Sequence, residues 1–178
     1  MNRKTMIRKA TGKDIDGIAA IYNKVLDQEE QGHASIGWER GVYPTKDTAL
    51  LALERGDLFV YEQDGQLLAT AIINHRQMDS YAKGNWKVKA NDDEVMVLHT
   101  LVVDPDFSGR GIGKEIVAYY ERYAKEQGCK DLRMDTQAKN KAARNLYHHL
   151  GYEEIGIIPC DFNGIQGISL VLLEKEIL

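Results

Sequence analysis

The chain has 178 residues, enough for one domain with a full core and too few for two catalytic domains of ordinary size. Hydrophobic residues make up 43% and charged residues 28%, a balance that excludes a disordered or fibrous chain. The formal charge of −4 argues against a dominant basic face for nucleic acid, and no apolar run reaches the roughly 18 residues needed to cross a bilayer.

Residues 5–9 read as a short first strand. Thr11 with Asp14 three residues on resembles a capping box, after which Ile15, Ile18, Tyr22 and Val25 form one helical stripe. A polar, glycine-bearing stretch over 27–44 leads to Thr45, which can cap a second helix running to Arg55 and closed by Gly56. Residues 58–63 and 66–74 are strand-like runs joined by Asp64-Gly65, a dipeptide suited to a type I′ turn because both central positions need positive φ. A long polar loop, 75–93, holds Tyr81 and Trp86.

Residues 94–103 form a strongly apolar strand, as expected at a covered central position. A glycine-rich turn at 108–113 precedes a helix over 112–127 with the stripe Ile112, Ile116, Tyr120, Tyr123, Ala124 and a stop at Gly128. Residues 132–136 read as a strand and 140–150 as a helix closed by Gly151. The runs 153–160 and 168–174 close the chain as a pair around Asn163-Gly164. Strand, helix, strand in the middle implies a parallel pair with a right-handed crossover, flanked by antiparallel hairpins. The fold class is α/β with a mixed sheet and helices on its faces. Two cysteines, Cys129 and Cys160, give no disulfide framework, and the charged start lacks an apolar secretory segment, so a cytoplasmic protein is expected. Five scattered histidines show no metal-ligand spacing, and no metal is expected.

The chemistry concentrates in Val103-Asp-Pro-Asp-Phe-Ser-Gly-Arg-Gly-Ile-Gly-Lys114. Three glycines between strand and helix let backbone N–H groups converge at the positive end of a helix dipole, where a pyrophosphate fits, and Arg110 and Lys114 add charge. The Walker pattern fails, because Ser108 stands where glycine is needed and Glu115 follows the lysine. The dinucleotide fingerprint also fails: Gly109, Gly111 and Gly113 are spaced G-x-G-x-G, although Asp135 lies at a suitable distance on the next strand. The remaining match is the acyl-coenzyme A turn.

With Leu101-Val102-Val103-Asp104-Pro105 before that turn, and Asn140-Lys-Ala-Ala-Arg-Asn-Leu-Tyr147 ending in Gly151-Tyr152 after it, the sequence resembles the GNAT superfamily of acetyl-coenzyme A-dependent N-acetyltransferases. The motifs cover residues 94–152 and the order of elements agrees along the whole chain. Ser108 departs from the usual Gln or Arg, which weakens a side-chain contact to phosphate but leaves the backbone cradle. The resemblance implies one domain over 1–178, with about seven mostly antiparallel strands, a central splayed parallel pair and four helices. It also implies acetyl-coenzyme A as cosubstrate, held by residues 101–103, 108–114, Asn140 and Tyr147. These are Leu101, Val102, Val103, Ser108, Gly109, Arg110, Gly111, Ile112, Gly113 and Lys114 with the two helix residues.

Acetyl transfer to an amine makes three demands. A lysine-like amine of pKa about 10.4 is neutral only about once in a thousand at pH 7, so a base is useful. His99 and Glu94 are the candidates on the apolar strand. His99 shares strand parity with Leu101 and Val103, so these three should face one side; a core histidine with one satisfied hydrogen bond explains His99 nearly as well. The resemblance assigns the Leu101 N–H to the thioester oxygen, and Tyr147 as general acid toward the departing thiolate. Packing of the helix is the alternative role for Tyr147, and helix capping a compatible second role for Asn140.

The resemblance implies that the polar stretches 27–45 and 75–93 form the acceptor cleft, where Trp38, Tyr43, Tyr81 and Trp86 could serve as walls and Glu29, Glu30 and Asp79 could attract a cationic amine. Loop carboxylates are usually solvated and loop aromatics often anchor the loop. The leading expectation is direct attack by a small-molecule primary amine in a ternary complex. Acetylation of a protein N-terminus or lysine, a non-catalytic acyl-coenzyme A sensor, and a nicotinamide-dinucleotide module remain alternatives. No nucleic-acid or membrane partner is expected; a homodimer would form through the closing strands.

Overall fold

In the computed structural model, which describes residues 3–178, seven strands form one sheet in the order β1-β2-β3-β4-β5-β7-β6. They are β1 (Thr5–Lys9), β2 (Leu58–Gln63), β3 (Gln66–Asn74), β4 (Val95–Val103), β5 (Asp131–Gln137), β6 (Glu153–Phe162) and β7 (Ile165–Glu176). Every neighbouring pair is antiparallel except β4 with β5. Four α-helices accompany them: α1 (Ile15–Glu30), α2 (Lys46–Arg55), α3 (Ile112–Glu126) and α4 (Lys141–His149). The β2–β3 hairpin turns on Asp64 at φ 50° and Gly65 at φ 82°, both positive as a type I′ turn requires.

The strands sort their side chains by alternation. Met96, Leu98, Leu132 and Met134 face a core built with α3 and with Tyr147 of α4. Val95 and Val97 face the other side, under Tyr81 of the long loop and beside Leu170 and Leu172. Residues of α1 and α2 cover that second side over β2 and β3, through Ile18, Tyr22, Ala49 and Ala52. A central strand buried on both faces must be apolar at nearly every position, which accounts for the run in β4.

Within β4, alternation breaks where its pairing with β3 shifts register. Ile72 pairs with His99 and Thr70 with Val102, so β4 carries one extra residue. Thr100 takes up the excess at φ 47°. Left-handed backbone is an outlier for a β-branched residue and costs on the order of 1–3 kcal/mol; a hydrogen bond between the Thr100 hydroxyl and Tyr43 holds it. The bulge reverses side-chain parity beyond it. Leu101 and Val103 therefore pack toward α3, whereas His99 faces the α1–α2 side with its register partner Ile72. The expectation that the three share a face is corrected by this extra residue.

Below the bulge, the β4–β5 pairing is pinned by Tyr120 of α3. Its buried hydroxyl donates to the Met96 carbonyl at 2.6 Å and lies 3.1 Å from that of Arg133, one acceptor on each strand. Tyr120→Phe leaves those carbonyls without this donor and is expected to destabilise the fold by about 1–2 kcal/mol, measured as a lowered midpoint in urea with an unchanged slope.

Candidate active site

The parallel pairing of β4 with β5 ends at Leu98 and Met134. β5 continues to Gln137 against β7, while β4 continues to Val103 against β3. The two strands thus diverge into a fork, and Thr100 and Leu101 have no register partner on either side. A cavity of about 420 Å³ opens over it, lined by Trp38, Tyr43, His99, Thr100, Leu101, Asp135, Asn140 and Tyr147 among others.

Asp135 and His99 are the next residues after the last parallel pair, and both project to the α1–α2 side. The Asp135 carboxylate accepts a hydrogen bond from the Tyr81 hydroxyl at 2.6 Å. Burial pushes the Asp135 carboxyl up to about 6, with the Tyr81 bond opposing, so it is ionised at neutral pH yet far more basic than an ordinary aspartate. His99 behaves oppositely. Burial drives it down to about 4, and Arg55 and Arg76 add to the effect against the opposing Asp57 charge. Its Nε2 lies 2.8 Å from Asn74 Oδ1. Asn74 donates through Nδ2 to Asp57 and accepts through Oδ1 from the Arg76 N–H, so the amide orientation is fixed and His99 Nε2 carries the donated proton.

On the opposite face, α4 brings Tyr147 up to the fork. Asn140 caps α4, its side chain accepting from the Ala143 N–H at 3.2 Å, and also lines the cavity. Burial first, then the Asp135 charge, raise the Tyr147 hydroxyl above its usual range, so it stays protonated. Gln137 closes a wall by donating to the Gly37 carbonyl at 2.9 Å.

At the far end of β4 the chain turns through residues 104–111 into α3. Gly109 and Gly111 sit at φ 74° and 76°, and a Cβ at either would meet nothing within 4 Å. The Ser108 N–H returns to Pro105; the N–H groups of Gly109, Arg110 and Gly111 have no backbone acceptor among the described residues, and those opening a helix have none by construction. Ser108, Arg110 and Lys114 are exposed around this concavity, Arg110 lying over the Phe107 ring at 5.0 Å. Ile112 and Gly113 begin α3.

Other expected site residues lie elsewhere. Glu94 precedes β4, about 17 Å back along the strand from His99, and pairs with Lys130. Asp79 is exposed and does not line the cavity. Tyr81 is buried beneath the cavity, holding Asp135 rather than forming a wall. Trp86 anchors the loop, donating to the Tyr81 carbonyl at 2.7 Å with Arg133 stacked on its ring. Glu29 accepts from the Ile36 and Gly37 N–H groups, and Glu30 pairs with Arg40. Of the loop aromatics, Trp38 and Tyr43 reach the cavity. In the sequence Asp135 stands out only at the spacing of a dinucleotide acid, and Asn74 carries no local signal. The available signal was a carboxylate alternating with Leu132 and Met134 in a core strand.

A model of the acetyltransferase (GNAT) family matches residues 19–152. Over 158 residues the chain is 28% identical to an uncharacterized N-acetyltransferase of Methanocaldococcus jannaschii, covering 85% of this chain and 62% of that one. Over 98 residues it is 29% identical to the aminoglycoside N(6')-acetyltransferase type 1 of Salmonella typhimurium strain LT2, covering 54% of this chain and 61% of that one. The chain therefore spans about three fifths of the length of these curated relatives. Its fold is similar to that of a GNAT-family acetyltransferase from Streptococcus agalactiae 2603, with a TM-score of 0.80 and 22% identity over 99% of both chains.

Proposed function

The chain belongs to the acetyltransferase (GNAT) family, and from that premise we propose that it transfers an acetyl group from acetyl-coenzyme A to the primary amine of a small molecule by direct attack. The observation that carries this reading is the β4–β5 fork, which has Asp135 on one face and Tyr147 on the other. The residues fit the cosubstrate: the turn at 109–114 offers unpaired N–H groups and open space at a helix N-terminus for a pyrophosphate, and the unpaired edge around Leu101 suits an extended amide arm.

Acetyl-coenzyme A supplies an acyl thioester. Asp135 takes a proton from the ammonium form of the acceptor, leaving a neutral nucleophile, and its pKa of about 6 makes it a stronger base than His99 at about 4. The Leu101 N–H faces the charge that develops on the acyl oxygen, a donor typically worth about 2.7–4 kcal/mol. As the new C–N bond forms and the C–S bond breaks, Tyr147 donates toward the sulfur and the second amine proton leaves to water. A phenol raised above 10 is a weaker acid than a thiol near 8.5, so Tyr147 acts chiefly through a hydrogen bond that strengthens late.

Titration with acetyl-coenzyme A followed by thiol release in the presence of amines tests the whole reading. Binding with amine-dependent release is expected. Binding without release to any amine would leave an acyl-coenzyme A sensor, and no binding would overturn the cradle. Tyr147→Phe should reduce turnover about 10- to 100-fold with coenzyme affinity nearly unchanged; unaltered turnover would remove its role as acid.

A further inference from the structure

The same cavity is electrically two-sided, and this deepens the acetyl-transfer reading on which it rests. One pole is Asp135. The other lies on the His99 side, where Arg55 and Arg76 line the wall and both act on His99 as positive charges. Their states differ. Arg55 is clamped through Nε at 2.8 Å and through its terminal nitrogen at 3.1 Å onto Asp57, so much of its charge is already answered. Arg76 follows the end of β3, its backbone N–H tied to Asn74, and its guanidinium makes no ion pair or hydrogen bond with a described residue while lining the cavity.

The Tyr43 hydroxyl, also on the cavity wall, feels Asp135 as a negative and Arg55 as a positive charge. Trp38, Leu51, Met78 and Phe162 supply an apolar wall, and Asp47, exposed on α2, is a second carboxylate on the lining. A polycation would gain at Asp135 and at the solvated Asp47 but lose at Arg76, whereas an unpaired guanidinium in a ligand cavity favours a carboxylate or phosphonate.

We propose that the acceptor is a small zwitterion, an amine that also bears an anionic group, with its ammonium toward Asp135, its anion on Arg76 and an apolar body against Trp38 and Leu51. A charge-assisted contact of this kind is typically worth about 10- to 100-fold in affinity.

The test uses matched acceptors differing only in the anion: leucine against 3-methylbutylamine, methionine against 3-methylthiopropylamine, phenylalanine against phenethylamine. Kanamycin serves as the polycation. Thiol release should give the carboxylate-bearing member of each pair at least a 10-fold higher kcat/KM. Arg76→Gln should raise KM for the amino acids about 10- to 100-fold and collapse the ratio within each pair toward one, and Arg76→Lys should keep part of it. Arg76 is exposed and unpaired, so these variants fold. Equal or better turnover of the plain amines or kanamycin would overturn the zwitterion and leave acetyl transfer standing. Release with none of the seven acceptors, despite bound acetyl-coenzyme A, would overturn both.

Discussion

Asp135→Asn is expected to lower kcat by about 100-fold and at the same time make the protein more stable at pH 8. The first half follows from chemistry. Asparagine keeps the shape and still accepts from the Tyr81 hydroxyl, but it cannot take a proton, and a positioned base typically contributes about 10²–10⁴. The wild-type rate should rise with pH through about 6 as Asp135 ionises, and the variant should lack that limb. Tyr43 and Tyr147 also face this carboxylate and remain protonated there, so they do not mimic the limb. His99 titrates about two units lower.

The second half follows from linkage. Burial raises the Asp135 carboxyl above its ordinary value of 3.8, so the native state holds this proton more tightly than the unfolded chain. Stability is therefore lost as pH rises from about 4 through 6, and the full cost is present above 6. The variant carries no such charge. Its thermal midpoint should exceed the wild type's at pH 8, with the margin vanishing near pH 4. Activity falling while stability rises separates a chemical role from misfolding; equal rates at pH 8 would remove Asp135 as base and return that role to His99 or to water.

The local rules of the sequence reached most of this fold because they depend on near neighbours. The Asp64-Gly65 turn, the cap at Thr45 and the apolar run of β4 each identify their own element, and each appears within a residue or two of expectation. β7 runs longer at both ends than expected, from Ile165 to Glu176, since cross-strand pairing extends a strand past its most apolar stretch. The turn at 108–113 and the α4 block were legible as motifs. Thr100 was not: a β-branched residue gives no local hint of left-handed backbone, and only the pairing with β3 and the Tyr43 contact impose it. That single position turns Leu101 and Val103 onto the α3 face, away from His99. Asp135 was hidden for a related reason, because its meaning comes from where β4 leaves β5, and strand divergence is a tertiary event. The acidic loop residues misled in the other direction, Glu29 and Glu30 being spent on loop and ion-pair contacts.

The cradle admits an equally sharp expectation, that Gly111→Asp loses about 100-fold or more in affinity for acetyl-coenzyme A while the free protein remains folded. Gly111 caps α3 at φ 76°, with open space where a Cβ would project. Aspartate is among the residues that tolerate this region best, and a carboxylate at a helix N-terminus is itself favourable. The unliganded protein therefore gains a favourable charge–dipole contact as it gains strain, and its melting point should move little. The ligand meets the opposite situation. A negative charge about 4 Å from a phosphate, in a partly shielded site, opposes it by about 4 kcal/mol, and screening at this exposed turn lowers that to about 3, or about two decades in Kd. Gly111→Ala carries the backbone strain without the charge and should lose far less. High salt should narrow the gap between the two variants. Were both to bind acetyl-coenzyme A as the wild type does, the pyrophosphate would not lie on this turn, and the fork between β4 and β5 would need another direction of entry.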